Sequence, residues 1–377
     1  MKLLPIDLPT PEAPRLDWER LDAAFPWLRA LAGCPQDPVH HAEGDVAVHT
    51  RMVCEEMAAL PAWRALPVDE RAQVLAAALF HDIAKPATTR CDADGRVTAP
   101  GHSRRGELMA RAELYRMGVA PALREAVAGL VRHHQVPFFL VDQPDALRRA
   151  IGVAARARGD HLALLAEADM RGRVCEDPAR ALDNVALYRV LCEESELLRA
   201  PWAFANGTSR YEFFTREGRD PHYAAHEGEG FEVVLMCGLP GSGKDTWVAD
   251  NRPGAPVVSL DDLRDALDVD PADDQGAVVS AAKEKARALL RARTPFVWNA
   301  TNLTRQRRAE LVSLFADYGA RVRLVYVEVP YDTLRRQNRE RERERRVPER
   351  VLSGMIDRWE APVASEAHAF EAHVRAE

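Results

Sequence analysis

The chain has 377 residues, 47% apolar and 29% charged, with a formal net charge of −7. That length suits two or three domains, and the apolar share is enough for two ordinary cores. The acidic balance argues against bulk electrostatic binding to duplex nucleic acid, while leaving room for a local basic cleft.

There are six Cys and none forms a Cys-x-x-Cys pair, so neither a zinc ribbon nor a redox motif is expected. Scattered single Cys fit a reducing cytoplasm, which is the expected location. Met1 to Trp18 lacks a basic-then-apolar signal pattern. No apolar run approaches the roughly 18 residues of a membrane span. Lys is scarce, with only Lys2, Lys85, Lys244, Lys283 and Lys285. A Lys inside a motif therefore carries more weight.

From Trp18 to about Leu198 the apolar spacing is helical and no convincing strand appears. Val74–Phe80, Leu123–Val131 and Leu162–Asp169 read as buried helix segments, and this part reads as all-α. Its histidines sit at recurring places. His49 lies on a helix in Gly44-Asp-Val-Ala-Val-His49-Thr, and His81-Asp82 ends an apolar helix with Lys85 following. His102 follows Gly101, His133-His134 closes another helix, and Asp169 ends one in Ala168-Asp-Met-Arg-Gly-Arg173. A lone buried His is usually structural. Imidazoles and carboxylates at the ends of several separate helices suit a borderline transition metal, which can activate water near neutral pH.

Pro201 to Gly230 is rich in aromatic and polar residues, including Trp202, Phe204, Tyr211, Phe213, Phe214 and Tyr223. It reads as a connector that packs on a domain, since a flexible linker would not carry so many rings.

From Phe231 strands and helices alternate. Phe231–Cys237, Ala255–Ser259, Phe296–Trp298 and Val322–Val329 read as strands. Helices are expected from Lys244, over Ala277–Ala292 and over Arg305–Tyr318. Such alternation implies a parallel sheet with covering helices. Arg335–Arg350, alternating Arg and Glu, reads as a charged helix.

Gly238-Leu-Pro-Gly241-Ser242-Gly243-Lys244-Asp245 sits between the first strand and the next helix. Glycines there let backbone N–H groups converge on one anion, the helix N-terminus adds partial positive charge, and Lys244 adds a full one. This predicts binding of ATP or another NTP. Position 245 should carry a hydroxyl for Mg²⁺, yet it is Asp245, followed by Thr246; either could take part. After the second strand, Ser259-Leu-Asp261-Asp262-Leu-Arg264 puts carboxylates at the sheet edge where ligands bind. Asp261 is the candidate general base and Arg264 a candidate for an acceptor phosphate. The other reading is that Asp261 or Asp262 caps the next helix. Thr301 and Asn302 lie at the same edge, as site residues or as turn and cap. Arg341 and Arg345 would close on the transferred phosphate, although paired Arg–Glu charges on a solvated face account for most of that run.

The C-terminal residues, across roughly Phe231 to Trp359, resemble the polynucleotide 5′-kinase family. The likeness rests on Gly-x-Pro-Gly-Ser-Gly-Lys, Asp-Asp-x-Arg, Thr-Asn-Leu and an Arg-rich stretch before Val347-Pro348. It implies that Lys244 binds phosphate, Asp261 activates a polynucleotide 5′-hydroxyl and Arg264 holds the acceptor's 3′ phosphate.

Residues 20 to 195 resemble the HD-domain phosphohydrolases in the order His…His-Asp…His…His…Asp. The resemblance implies a binuclear site for Mn, Co, Ni or Fe. His49, His81 and Asp169 would hold one metal, His102 and His134 the other, and Asp82 would bridge. His134 is taken over His133 because Leu-Val-Arg-x-His is the usual form. Lys85 and Arg173 would contact substrate phosphate. The Gly-Asp-Val-x-x-His-Thr start is also similar to the helical module of bacterial tRNA nucleotidyltransferases.

Together the halves resemble the bacterial HD-Pnk end-healing enzymes. That implies an HD domain over 1–200, a connector over 201–230 and a P-loop kinase domain over 231–377. The HD domain would remove 2′,3′-cyclic phosphate and 3′-phosphate ends, and the kinase would phosphorylate 5′-hydroxyl ends. The expected partners are RNA (or DNA) strand ends and a separate ligase, with no membrane. The rival reading is a sugar, nucleoside or antibiotic kinase fused to a nucleotide phosphohydrolase. A regulatory nucleotide sensor is the non-enzyme alternative.

Overall fold

The structure is a computed structural model, and it describes residues 4–10, 15–228, 230–270, 273–341 and 346–375. The chain divides into two compact units, Met1–Trp202 and Ala203–Glu377.

The first unit is built around four helices: Val46–Ala59, Val68–Phe80, Pro121–His133 and Gly159–Arg171. In Val46–Ala59 the buried positions include Val46, His49, Thr50, Val53 and Met57, a three-and-four spacing that makes one apolar face. Asp45 caps this helix by accepting the Val48 amide at 2.9 Å, and its other oxygen takes the Gly33 amide at 2.7 Å. That cap sets the helical phase that turns His49 inward. In Val68–Phe80 every residue from Val74 on is buried. A helix apolar all round at one end must be surrounded, and the other three helices pack on it. Gly172 permits a close crossing: a Cβ there would lie 2.7 Å from the Val53 amide nitrogen.

One departure from the all-helical expectation is a short antiparallel hairpin, β1 Arg90–Cys91 with β2 Val97–Thr98. Two residues per strand are too few for an alternating pattern to show in sequence.

The second unit carries a five-stranded parallel sheet of β3 Glu232–Cys237, β4 Val257–Ser259, β5 Phe296–Asn299, β6 Arg321–Glu328 and β7 Ala369–Val374. Their order is β4-β5-β3-β6-β7. β3 is central and almost wholly buried, as a strand covered on both faces must be. On one face Val234, Met236, Val297, Val325 and Val327 meet Trp247 and Val248 of the helix Lys244–Asn251. β7 was not expected. Its sequence, Ala-Phe-Glu-Ala-His-Val, has poor strand composition, and its register comes from pairing with β6 from Arg323↔Ala369 to Glu328↔Val374.

One further expectation gains detail and another changes. The stretch read as a connector contains a helix, Gly207–Thr215, and from Ala203 on it is part of the second unit. Arg210 Nε donates to Ala364 O at 3.0 Å, and the Tyr211 ring lies 4.2 Å from that of His368. The Arg–Glu run is not one helix either. A helix Tyr331–Glu340 stops at Arg341, and a second, Glu349–Asp357, starts after Pro348. Arg345 lies outside the described residues.

Candidate functional site

In the first unit the helix ends converge. Asp82 Oδ2 lies 3.1 Å from His81 Nε2 and 3.9 Å from His49 Nε2. Its other oxygen lies 3.6 Å from His102 Nε2 and 4.0 Å from His134 Nε2. Asp169 Oδ1 is 3.2 Å from His49 Nε2. Ligand atoms of His49, His81 and Asp169 fall within 4.8 Å of one another, and so do those of Asp82, His102 and His134. Asp82 thus turns one oxygen to His49 and His81 and the other to His102 and His134. All six residues are buried.

Three of the histidines are aimed by one local device. His81, His102 and His134 each place Nδ1 within 2.7–2.8 Å of the carbonyl three residues earlier, at Ala78, Ala99 and Val131. A carbonyl only accepts, so Nδ1 carries the proton and Nε2 presents its lone pair inward. His49 reaches the same result through tertiary contacts, with Nδ1 3.2 Å from Gly172 O and 2.9 Å from Glu43 Oε1. It is His134, not the adjacent His133, that turns into the cluster.

The charges are strongly coupled. Burial would raise the Asp82 carboxyl, but His81, Lys85 and His102 hold it well below its ordinary range. Burial pushes His134 down to about 3, helped by His81 and His102. Burial also lowers His102. His49 goes the other way: burial opposes protonation, but Asp169 and Glu43 raise its pKa. The negative field at His49 that favours a proton is the field a divalent cation would meet.

These residues fit a metal pair. Both Asp82 oxygens are buried without an aligned hydrogen bond. Lys85 Nζ, 2.8 Å from Oδ2, contributes as an ion pair, and it donates its hydrogen bond to Gln36 Oε1 at 2.6 Å. Arg173, expected on substrate phosphate, makes a bidentate pair with Asp169 at 2.7–2.9 Å. Both cations therefore stand at the centre itself.

Sequence reading missed Glu43, Gln36 and Gly172. Glu43 has a side chain 1% exposed, and it accepts from His41 Nδ1 at 2.8 Å and from the Val174 amide at 2.9 Å. It lies in a loop without periodicity, and one of its partners, the Val174 amide, arrives from 131 residues away, so the loop sequence does not mark it.

In the second unit the phosphate loop follows β3. Gly238, Gly241 and Gly243 have φ of 151°, 78° and 97°. These are values that favour glycine. A Cβ on Gly238 would also lie 2.3 Å from Val327 O. Ser242 Oγ is buried and without a hydrogen-bond partner. Lys244 Nζ donates to Gly238 O at 3.0 Å and Leu239 O at 2.9 Å, folded over the loop. The open amide cradle, the unpartnered hydroxyl and the lysine fit a triphosphate.

Burial pushes Lys244 down to about 8; Asp245, Cys237 and Asp261 pull it back up, and Arg341 lowers it. Asp245, Asp261 and Arg341 therefore lie within electrostatic reach of the loop lysine. Asp245 accepts from Asn299 Nδ2 at 2.6 Å, while the Asn299 carbonyl oxygen is buried without a partner. A carboxylate and an amide oxygen are hard ligands that fit Mg²⁺. Thr246 is exposed. Asn299 ends β5 at the same sheet edge as Thr301 and could have been chosen on that ground.

Asp261 pairs with Arg264 Nη1 at 2.6 Å, and Arg264 Nε donates to Gln275 Oε1 at 2.8 Å. Neither Asp261 nor Asp262 caps the following helix. Ser259 does, accepting the Asp262 amide at 3.1 Å, which leaves Asp261 in the first turn with its side chain exposed. Thr301 and Asn302 support the loop from below. Thr301 O accepts the Gly238 amide at 3.0 Å, and Asn302 Nδ2 donates to Met236 O at 2.7 Å.

An HD-domain family model matches residues 45–165, and an AAA-domain model matches residues 233–362. The CC-adding tRNA nucleotidyltransferase of Thermus thermophilus is 37% identical over 130 residues, 34% of this chain and 28% of that protein. The multifunctional CCA protein of Thioalkalivibrio sulfidiphilus is 32% identical over 162 residues, 42% of this chain and 37% of that protein. The chain thus spans less than two fifths of the length of these relatives. A solved, unliganded sugar kinase from Janibacter sp. HTCC2649 aligns with 39% of this chain and 84% of its own at 20% identity. Its TM-score of 0.29 is too low to bear on function. No helix among the described residues is long and apolar enough to cross a membrane. On the family matches and the fold, the chain joins a helical HD domain to an α/β P-loop kinase-like domain.

Proposed function

We propose that the protein heals broken RNA ends. The HD domain hydrolyses 2′,3′-cyclic phosphate and 3′-phosphate ends, and the P-loop domain phosphorylates 5′-hydroxyl ends from an NTP. The observation that carries this reading is the pairing, in one chain, of the buried four-histidine, two-aspartate centre with a phosphate cradle flanked by Asp261 and Arg264. One broken strand offers a substrate to each. The name of the Thermus relative, a tRNA nucleotidyltransferase, points to RNA as well.

In the HD domain His49, His81 and Asp169 would hold one divalent transition metal, and His102 and His134 a second, with Asp82 shared. Such a pair supplies a Lewis acid and an activated water. The protein's own part is orientation and charge. The Nδ1 anchors fix four imidazoles, and Lys85 and Arg173 neutralise the substrate phosphate.

In the kinase domain Lys244 leaves the carbonyls of Gly238 and Leu239 for the β- and γ-phosphates. Asp245 and Asn299 would hold Mg²⁺, which supplies charge neutralisation. Asp261 accepts the proton of the 5′-hydroxyl, with Arg264 orienting that carboxylate and facing the acceptor's phosphate. Arg341 meets the charge developing on the γ-phosphoryl group.

The test uses the purified chain with labelled ATP, Mg²⁺, Mn²⁺ and an RNA oligonucleotide bearing a 5′-hydroxyl and a 2′,3′-cyclic phosphate. Label should enter the 5′ end and the terminal phosphate should be lost. Asp261→Ala should cut labelling by about 10²–10⁴-fold and spare end removal. Asp82→Ala should abolish end removal and spare labelling. An unlabelled oligonucleotide, with label on a sugar or free nucleoside instead, would replace this reading with small-molecule phosphorylation.

A further inference from the structure

Beside the HD centre lies a cavity of about 400 Å³ that none of the roles above uses. It is walled by Phe138, Phe139, Met170, Arg173 and Asn184, and Arg180 lines it together with two carboxylates, Asp142 and Asp177. Two of these tie it to the centre. Met170 directly follows Asp169, and Arg173 holds the Asp169 carboxylate while its guanidinium lies 5.1 Å from the Phe138 ring centre. Whatever fills the cavity therefore sits one side chain from the Asp169 carboxylate.

The walls select a flat, partly apolar occupant. Phe138 is buried, whereas the Phe139 ring is 61% exposed, standing nearly perpendicular to it. Asn184 Nδ2 donates to Phe138 O at 2.8 Å and Asp142 Oδ2 at 3.1 Å, which anchors the turn bearing Phe139. An exposed aromatic in a cavity wall offers a face on which a base can stack. The volume is at the lower end of ligand sites, suiting one nucleoside and not a duplex. Arg180, 78% exposed at its side chain, lies 3.7 Å from Asp142 Oδ2, and an anionic group outside would take it over from that carboxylate.

We propose that this cavity binds the 3′-terminal nucleoside of the strand, its base on Phe139, while its terminal phosphate enters the HD centre and Arg180 meets the preceding phosphodiester. The proposal rests on the end-healing reading for the identity of the strand, and its test does not depend on turnover.

A short RNA with a 5′-phosphate, a 3′-hydroxyl and 2-aminopurine as its last base is titrated with the metal-loaded full chain. The fluorescence should change on binding. Phe139→Ala should raise Kd about tenfold and Phe139→Trp should retain it. The exposed position makes a folding defect from either change unexpected. Arg180→Ala should weaken the strand about threefold and leave free 2-aminopurine riboside unaffected. Identical isotherms for wild type and Phe139→Ala, or the same signal with the probe base at the 5′ end, would overturn the proposal. Riboside binding as tight as the strand, with no effect of Arg180→Ala, would overturn the strand assignment in favour of a free nucleotide. If Phe139-dependent binding is seen but 3′-phosphate RNA is not hydrolysed, the end-healing reading fails and the pocket stands.

Discussion

The Nε2 atoms of His102 and His134 face each other at 3.3 Å with a lone pair on each. Both Nδ1 protons are committed to backbone carbonyls, and burial disfavours a second proton on either ring. Two acceptors that close repel, and beside them Asp82 buries two oxygens without aligned donors. Each strain is relieved by a cation between them. The arrangement is costly as a hydrogen-bond network and favourable as a ligand set.

Glu43 should act on metal affinity through His49. Its carboxyl is held low because hydrogen bonds from His41, His49 and the Val174 amide outweigh burial. Glu43→Ala removes one anchor of the His49 Nδ1 proton, and metal affinity should fall about 10–100-fold. Equilibrium metal titration of the full chain checks this, and end-removal activity should return at high metal. Glu43→Gln keeps an acceptor and should lose less. Unchanged affinity in Glu43→Ala would show that Gly172 O alone suffices.

NTP affinity should weaken above about pH 8. In the nucleotide-free protein, burial lowers Lys244 from its ordinary 10.5 to about 8. The triphosphate favours the charged lysine, so above that pH binding must take up a proton. The apparent Kd should then rise by up to about tenfold per pH unit. Calorimetric titrations between pH 7 and 9.5, in buffers of different ionisation enthalpy, would report that proton. The same shift has a second sign to check. Between the two values the unfolded chain binds more protons, so the free kinase unit should gain stability as pH rises from about 8 towards 10.5.

Arg308 should be a keystone of the kinase unit. It is fully buried and makes a bidentate pair with Glu366 at 2.7 and 3.0 Å. Its remaining nitrogen donates to Asn302 O at 3.0 Å and Glu360 O at 2.9 Å. Arg308→Met strands a buried carboxylate and should cost about 3–5 kcal/mol. Kinase activity should be lost at lower temperature than in the wild type, with end-removal activity unaffected. Arg308→Met with Glu366→Leu should recover part of the loss. A single variant with an unchanged unfolding profile would refute this.

Much was legible without coordinates. The phosphate loop and its flanking strand and helix are local, because glycine φ preference, strand hydrophobicity and helix start occupy adjacent residues. The HD ligands were legible for a related reason. Each histidine or aspartate lies at or near the end of a helix, and in three of them the aiming contact is only three residues back, to Ala78, Ala99 and Val131. Such short-range geometry travels with the sequence. What tertiary structure decided was everything set by distant partners. Glu43 meets His49 because residues 172–174 pass beside them. β7 becomes a strand because β6 offers it an edge, and Ser259 takes the cap that the neighbouring aspartates could have filled. Asp245 finds Asn299, 54 positions on, only when β5 lies beside β3. Local propensity specifies which groups are available; long-range packing specifies which of them meet.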